Sequence, residues 1–279
     1  MTNHQGNAIK AFRALHESGC FVLPNPWDIG TAIYLKQLGF KALATTSAGY
    51  AFTRGLPDSV LAIKRDEMLA HVGEIAAATP LPVNADFQNG YADTPEDVAK
   101  SVALCIKTGV AGLSIEDATG NDGAPLYETT LAIARIKAAR QAIDESGVPV
   151  VLTARCEAAL VGHPAPLEVA LERLVAFSEA GADCLYAPGL SEPEHISAIV
   201  KAVGPKPVNV LMSRSNPLLP VTRLAELGVR RISVGSALAR VAWGGFVRAA
   251  KQLAEGSFAG FATAATFKEL DEVFELGRN

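Results

Sequence analysis

Eight short apolar runs, each followed by polar turn residues and then by a longer stretch with helical spacing of apolar positions, constrain this chain more than any other feature. They are CFVLP at 20–24, ALATT at 42–46, PVNAD at 82–86, GLSIE at 112–116, PVVLT at 149–153, CLYA at 184–187, PVNVL at 207–211 and RISV at 231–234. Runs this short and this continuously apolar suit parallel strands covered on both faces, and the alternation with helical segments reads as βα units. Eight such units close a barrel. Glycine marks the return to the sheet at Gly39, Gly109, Gly147, Gly181 and Gly228, where a helix must end in a left-handed residue. An open doubly wound sheet would be signalled by G-x-G-x-x-G after the first strand, and that motif is missing. The expected fold is α/β: a (β/α)8 TIM barrel forming a single domain over residues 1–279.

Beyond the eighth helix, placed at about 237–254, an extra segment carries Phe267, Leu270, Val273 and Phe274 at helical spacing. A further apolar helix after a complete barrel must cover something. The expectation is a C-terminal helical extension, about 258–279, packed between subunits of a homodimer or homotetramer.

Composition excludes several function classes. A net charge of -4 with scattered Lys and Arg provides no basic face for a phosphate backbone, so nucleic acid is not an expected partner. Cys20, Cys105, Cys156 and Cys184 are far apart and form no C-x-x-C pair, which suggests neither a zinc site nor a disulfide framework. The N-terminal stretch is polar and helical in pattern, and no uncharged apolar stretch of about 18 residues follows. A cytoplasmic enzyme without a membrane partner is expected.

In a barrel of this kind, chemistry gathers where the strands end. Asp86 and Glu116, from consecutive strands, are expected to point into one mouth with Asn84, Asp58 and Asp117. Carboxylates gathered this closely need a cation, and hard oxygen donors without His or Cys suit Mg2+ or Mn2+. Arg155 faces them as a bidentate anchor for a substrate carboxylate. Thr46-Ser47-Ala48-Gly49, small and hydroxyl-rich, can cradle a second anionic oxygen through backbone N–H groups. No strand end carries the Lys that a Schiff-base aldolase needs.

Four of these strand-end segments resemble the isocitrate lyase/phosphoenolpyruvate mutase superfamily: SAGYAFTRGLPD at 47–58, the Asn84–Gly90 stretch, LSIED at 113–117 and TARCE at 153–157. The resemblance implies that Asp86 is a direct Mg2+ ligand, with Asn84, Glu116 and Asp58 holding metal-bound waters or substrate. It implies that Arg155 binds the substrate carboxylate, that Thr46, Ser47 and Ala48 bind the 2-oxo-acid end, and that a C-terminal helix is swapped between subunits. The chain also departs from the family pattern. Residues 118–125 replace the K-[KR]-C-G-H loop of the isocitrate and methylisocitrate lyases and contain neither its Cys nor the Lys of the phosphonate-forming mutases, and Asn84 stands where the family carries its first Asp.

The catalytic set expected is Asp58, Arg155 and Glu116; the substrate-binding set is Thr46, Ser47, Ala48, Arg155 and Asn209; the metal set is Asp86, Asn84 and Glu116. Cys156, with no neighbouring His to activate it, reads as a small buried thiol. His163 reads equally as a solvated loop residue or a proton donor. Ser236 is expected to cap the last barrel helix, and Tyr186 to line the mouth. The leading expectation is C–C cleavage or decarboxylation of a small 2-oxo or 2-hydroxy (di)carboxylic acid through an enolate. P–C bond chemistry of the phosphonopyruvate hydrolase or phosphoenolpyruvate mutase kind, and metal-dependent 2-oxo-acid binding without turnover, stay open as alternatives.

Overall fold

Each of the eight apolar runs forms a strand in the computed structural model of the protein, which describes residues 3–60 and 62–276. The strands are β1 (Phe21–Leu23), β2 (Leu43–Ala44), β3 (Val83–Asp86), β4 (Gly112–Glu116), β5 (Val151–Arg155), β6 (Cys184–Tyr186), β7 (Val208–Leu211) and β8 (Arg231–Ser233). All pair in parallel, in the order β1-β8-β7-β6-β5-β4-β3-β2. The ring closes between β1 and β2 through the Ala44 N–H donating to the Pro24 carbonyl at 3.0 Å. The fold is the expected TIM barrel. The fifth strand begins two residues after the start of its apolar run, so Arg155 is its last residue, opposite Glu116 of β4 and Tyr186 of β6.

Helices α2 (Ile29–Gln37), α4 (Arg65–Ala77), α5 (Pro95–Ile106), α6 (Thr129–Ser146), α7 (Pro166–Glu179), α8 (Pro193–Val203) and α9 (Val221–Glu226) surround the strands, with a short α3 (Ser47–Thr53) directly after β2. Their inward faces are apolar: α5 buries Val98, Val102, Cys105 and Ile106, and α6 buries Ile136, Ala139, Ala142 and Ile143.

A helix before the barrel, α1 (Asn3–Glu17), covers the end opposite the strand C-termini. Its Phe12 is fully buried and reaches Gly112, where an added β-carbon would lie 2.8 Å from the Phe12 ring and 2.8 Å from Asn84 Oδ1. Only glycine leaves room for both. Gln5 donates to the carbonyls of Ile106 and Val110, and Arg13 to that of Pro149. His16 Nδ1 lies 2.7 Å from the Phe12 carbonyl and Nε2 lies 3.4 Å from the Arg231 guanidinium. The imidazole therefore carries its proton on Nδ1 and accepts with Nε2.

The eighth helix, α10 (Ala237–Ala254), behaves differently. Of its 18 residues only Ala239 is buried, while Val241, Trp243, Phe246 and Val247 are exposed. The following α11 (Phe267–Leu276) turns back onto α2: Gln37 donates to the Val273 carbonyl, and Phe274 lies beside Gly30. The extra C-terminal helix is present as expected, but the unpartnered apolar face begins one helix earlier.

Burial, helped by Arg231, lowers the His16 pKa from 6.5 to about 3. Because the folded value lies below the unfolded one, the neutral imidazole's contribution is complete above pH 6.5 and is lost as the pH falls toward 3. Linkage puts the loss at about 2 to 3 kcal/mol by pH 4.5. Urea denaturation of wild type and H16Q across this range should show the wild type losing more stability on acidification; parallel curves would contradict it.

Candidate active site

The C-terminal ends of the strands surround one cavity of about 430 Å3, a size suited to a small ligand. Asn25 holds its rim: Nδ2 donates to the Thr45 carbonyl at 2.8 Å, and Oδ1 accepts the N–H groups of Val234 and Gly235. One amide thus ties the ends of β1, β2 and β8 together.

Asp86 ends β3 and is the most constrained acid in the cavity. Its Oδ2 accepts both the backbone N–H and the hydroxyl of Ser47, each at 2.8 Å, and its own N–H donates to Thr45 Oγ1. Thr46 caps α3 by accepting the Gly49 N–H; a β-carbon at Gly49 would come within 2.5 Å of the Thr46 methyl. Thr46, Ser47 and Ala48 all line the cavity as expected, but both donors of Ser47 are committed to Asp86.

Arg155 stands at the centre rather than across from the acids. Its guanidinium bonds Asp86 at 2.8 Å, Glu116 at 3.1 Å and Glu157 at 2.9 Å, and it lies 5.0 Å from the Tyr186 ring centroid. Burial opposes its charge, but Glu116, Glu157 and Asp86 outweigh that effect and hold it protonated. The carboxylates remain in excess. Burial, together with Glu157, Asp86 and Asp117, pushes Glu116 well above the usual carboxylate range despite Arg155. Glu157 is raised by burial, and Asp58 by burial and by Asp86. One guanidinium does not satisfy this set, as expected when like charges share a low-dielectric site.

Two buried oxygens along the same wall have no hydrogen-bond partner: Asn84 Oδ1 and Gln88 Oε1. With Asp58, Asp86 and Glu116 they make a set of hard donors that suits a cation such as Mg2+. No three of the described His, Cys, Asp and Glu side chains are grouped closely enough to enclose an ion. With both Asp86 oxygens already engaged by Ser47 and Arg155, a cation in this cavity would have to complete its coordination largely with water, as Mg2+ commonly does.

Several expectations are revised. Asp117 does not point into the mouth: it does not line the cavity, and it accepts from the Glu157 N–H at 2.7 Å and from Arg173 at 2.8 Å. It is a support for Glu157. His163 accepts the Ala165 N–H and does not line the cavity, which removes it as a proton donor there. Ser236 directly precedes α10 at its cap position and lines the cavity, but its side chain makes no capping bond. Cys156 is buried, its thiol pushed up by burial, as expected of a packing residue. Asn209 lines the cavity, yet its Nδ2 donates to Ser233 and its Oδ1 accepts from Arg231. Residues 118–127 form a tight loop, with Ala118 bridging Leu126 and the Thr119 N–H donating to the Pro125 carbonyl.

Sequence reasoning missed Gln88 and Arg231. Gln88 lies in the residues that lengthen the metal segment before Gly90, with a positive φ of 45°, and donates to the Ser59 carbonyl beside Asp58. The irregular spacing was its only signal. Arg231 opens the run RISV, where a charged residue heading an apolar strand could have been read as facing inward; it is 2% exposed and bonds Asn209, Thr153 and His16.

Fold and site together define a (β/α)8 barrel whose acid-lined mouth surrounds a buried arginine. Comparison with known proteins narrows this. The family model described as phosphoenolpyruvate phosphomutase matches residues 12–254, and the chain belongs to that family, which bears out the resemblance to the isocitrate lyase/phosphoenolpyruvate mutase superfamily. The crystal structure of a candidate lyase/mutase from Burkholderia cenocepacia J2315 shares 46% identity with a TM-score of 0.93, covering 98% of this chain and 97% of that one. An uncharacterized protein of Mycobacterium tuberculosis (strain H37Rv) is 34% identical over 81% of this chain and 82% of its own length. Oxaloacetate decarboxylase of Pseudomonas savastanoi pv. phaseolicola is 29% identical over 79% and 76%.

Removing the central cation should be costly whatever the substrate. R155Q leaves Asp86, Glu116 and Glu157 facing one another, and loss of one partner of a buried ion pair costs about 3 to 5 kcal/mol. A fall of that size in unfolding free energy is expected in metal-free buffer; a change below about 1 kcal/mol would mean the acids are paired elsewhere.

Proposed function

We propose that this protein is a Mg2+-dependent lyase or decarboxylase that breaks the C–C bond beside the carbonyl of a small 2-oxo or 2-hydroxy acid. The observation that carries this reading is the excess of oxygen donors around a single guanidinium in one cavity: Glu116, Glu157 and Asn84 Oδ1 buried, Asp86 half-buried and Asp58 at the exposed rim. The oxaloacetate decarboxylase among its relatives acts on a substrate of this class.

Mg2+ at Asp86, reached by Glu116, Asp58 and Asn84 through water, would polarise the 2-oxygen and stabilise the negative charge that develops there. The remaining work falls to the chain. Arg155, held cationic by its carboxylate neighbours, has the second N–H of each terminal nitrogen left over from its three ion pairs with which to meet the substrate carboxylate and fix its orientation. Ser47 anchors Asp86, and the N-terminus of α3 favours a second anionic oxygen. When the C–C bond breaks, its electron pair passes to the enolate, and a proton is then returned to carbon. The raised carboxyls of Glu116 and Asp58 are placed at the cavity to hold and return that proton.

Assays with Mg2+ against oxaloacetate, substituted malates and phosphonopyruvate test the reading. Turnover of a carboxylic acid, lost at least about 1000-fold in D86A and about 100-fold or more in D58N, is expected. Phosphate release from phosphonopyruvate without C–C cleavage would favour the P–C alternative. Oxalate binding with no turnover of any substrate would reduce the protein to a binder.

We also propose that a second copy of the chain covers α10. Its exposed Trp243, Phe246 and Val247, the last two lying three and four residues after the first on one side of the helix, form an apolar surface that its own barrel does not bury, the kind of face that marks a subunit interface. Light scattering should show a dimer or tetramer that F246E shifts toward monomer; a monomeric wild type would end the proposal.

A further inference from the structure

The cavity is electrically polarised, and its polarity specifies the far end of the substrate. Asp58 follows β2, Asp86 ends β3, Glu116 ends β4 and Glu157 follows β5, so the acids occupy one wall. The order β1-β8-β7-β6-β5-β4-β3-β2 places β7 and β8 across the barrel from β3 and β4. That opposite wall carries Arg214 after β7, Arg231 on β8 and Arg240 on α10, all lining the same cavity.

None of these guanidiniums has a carboxylate partner among the described residues. Arg231 is buried against Asn209, Thr153 and His16. Arg240 donates to the Ser213 carbonyl at 2.5 Å, which holds it at the rim beside Arg214. Arg214 makes no hydrogen bond or ion pair among the described residues. An acid such as oxalate or pyruvate would occupy the wall of Asp86 and Arg155 and leave this one untouched.

We infer that Arg214 and Arg240 form the subsite for a second anionic group, and that the substrate is a 2-oxo or 2-hydroxy acid whose fragment beyond the cleaved bond bears its own carboxylate. This rests on the proposed reading of the acidic wall as the site of the metal and the 2-oxo end. Arg231, deeper and already engaged by neutral partners, adds positive potential to the same wall without contacting the ligand. Because Arg214 and Arg240 are exposed, their attraction is partly screened and weakens with salt.

The test measures binding to the Mg2+-loaded protein by calorimetry, with oxalate as a probe of the acidic wall alone. Malate and longer 2-hydroxy dicarboxylates, their distal monoamides, and phosphonopyruvate probe the basic wall. R214Q and R240Q should each weaken the dicarboxylate about tenfold, leave oxalate within about twofold, and remove the wild type's preference for the acid over the monoamide. Tighter binding of phosphonopyruvate, with the same arginine dependence, would keep the subsite and make its ligand a phosphonate. Equal affinity of wild type for acid and monoamide, or equal loss of oxalate and dicarboxylate in the variants, would overturn the inference. If oxalate does not bind while the dicarboxylate still depends on Arg214, the reading of the acidic wall fails and the subsite stands; if neither binds, both fail.

Discussion

The charge of Arg155, buried among Asp86, Glu116 and Glu157, is what the rest of the site is arranged around. Taking a guanidinium and several carboxylates out of water is expensive, and their mutual attraction repays it only with good geometry and further hydrogen bonds. The barrel supplies both. Parallel pairing places Arg155 level with Glu116 on one side and with Tyr186 on the other. Ser47 takes up one oxygen of Asp86. Behind this centre, Asp117 and Arg173 form a second buried pair that holds the backbone of Glu157. The sequence places Glu116 and Asp117 side by side; alternation along the chain sends one into the cavity and the other toward the helices.

A second buried arginine secures the loop that carries the acid end of β3. Gln88 and Tyr91 both have positive φ, 45° and 56°, a conformation that non-glycine residues adopt only when their surroundings impose it. Arg135 of α6, almost wholly buried, donates to the carbonyls of Asn89, Ala92 and Asp93, and its guanidinium stacks on Tyr127. Tyr127 in turn donates to Asp93. Helix α6 thus fixes a loop of the neighbouring βα unit, and the direction of Gln88 follows from it.

The sequence made the barrel legible because all eight strands are short, apolar and punctuated, and because the acids stand at the ends of those runs. The cavity-facing positions of Asp86, Glu116, Arg155 and Asn84 follow from that pattern, each at or near a strand end. What could not be read was how the groups use one another. That Arg155 would be closed onto the acids, that Ser47 would spend its donors on Asp86, and that Asp117 would turn away depend on registers of a single residue. Spacing along the chain does not encode these across strands. Arg231 and Gln88 escaped notice for the related reason that an inward charge at a strand start and a left-handed glutamine break the local rules from which strands and loops are recognised.

Helix α10 links the outer surface of the barrel to its chemistry. Its first turn, with Ser236 and Arg240, lines the cavity, and Arg240 reaches the Ser213 carbonyl after β7. Three residues after Arg240 the same helix presents Trp243 and, three further on, Phe246 to the outside. A helix that buries one residue against its own barrel is held weakly by that barrel. Whatever covers the apolar face therefore also fixes the position of Arg240, so that in a multimer the basic wall of one cavity would be set by contacts made on the far side of the helix.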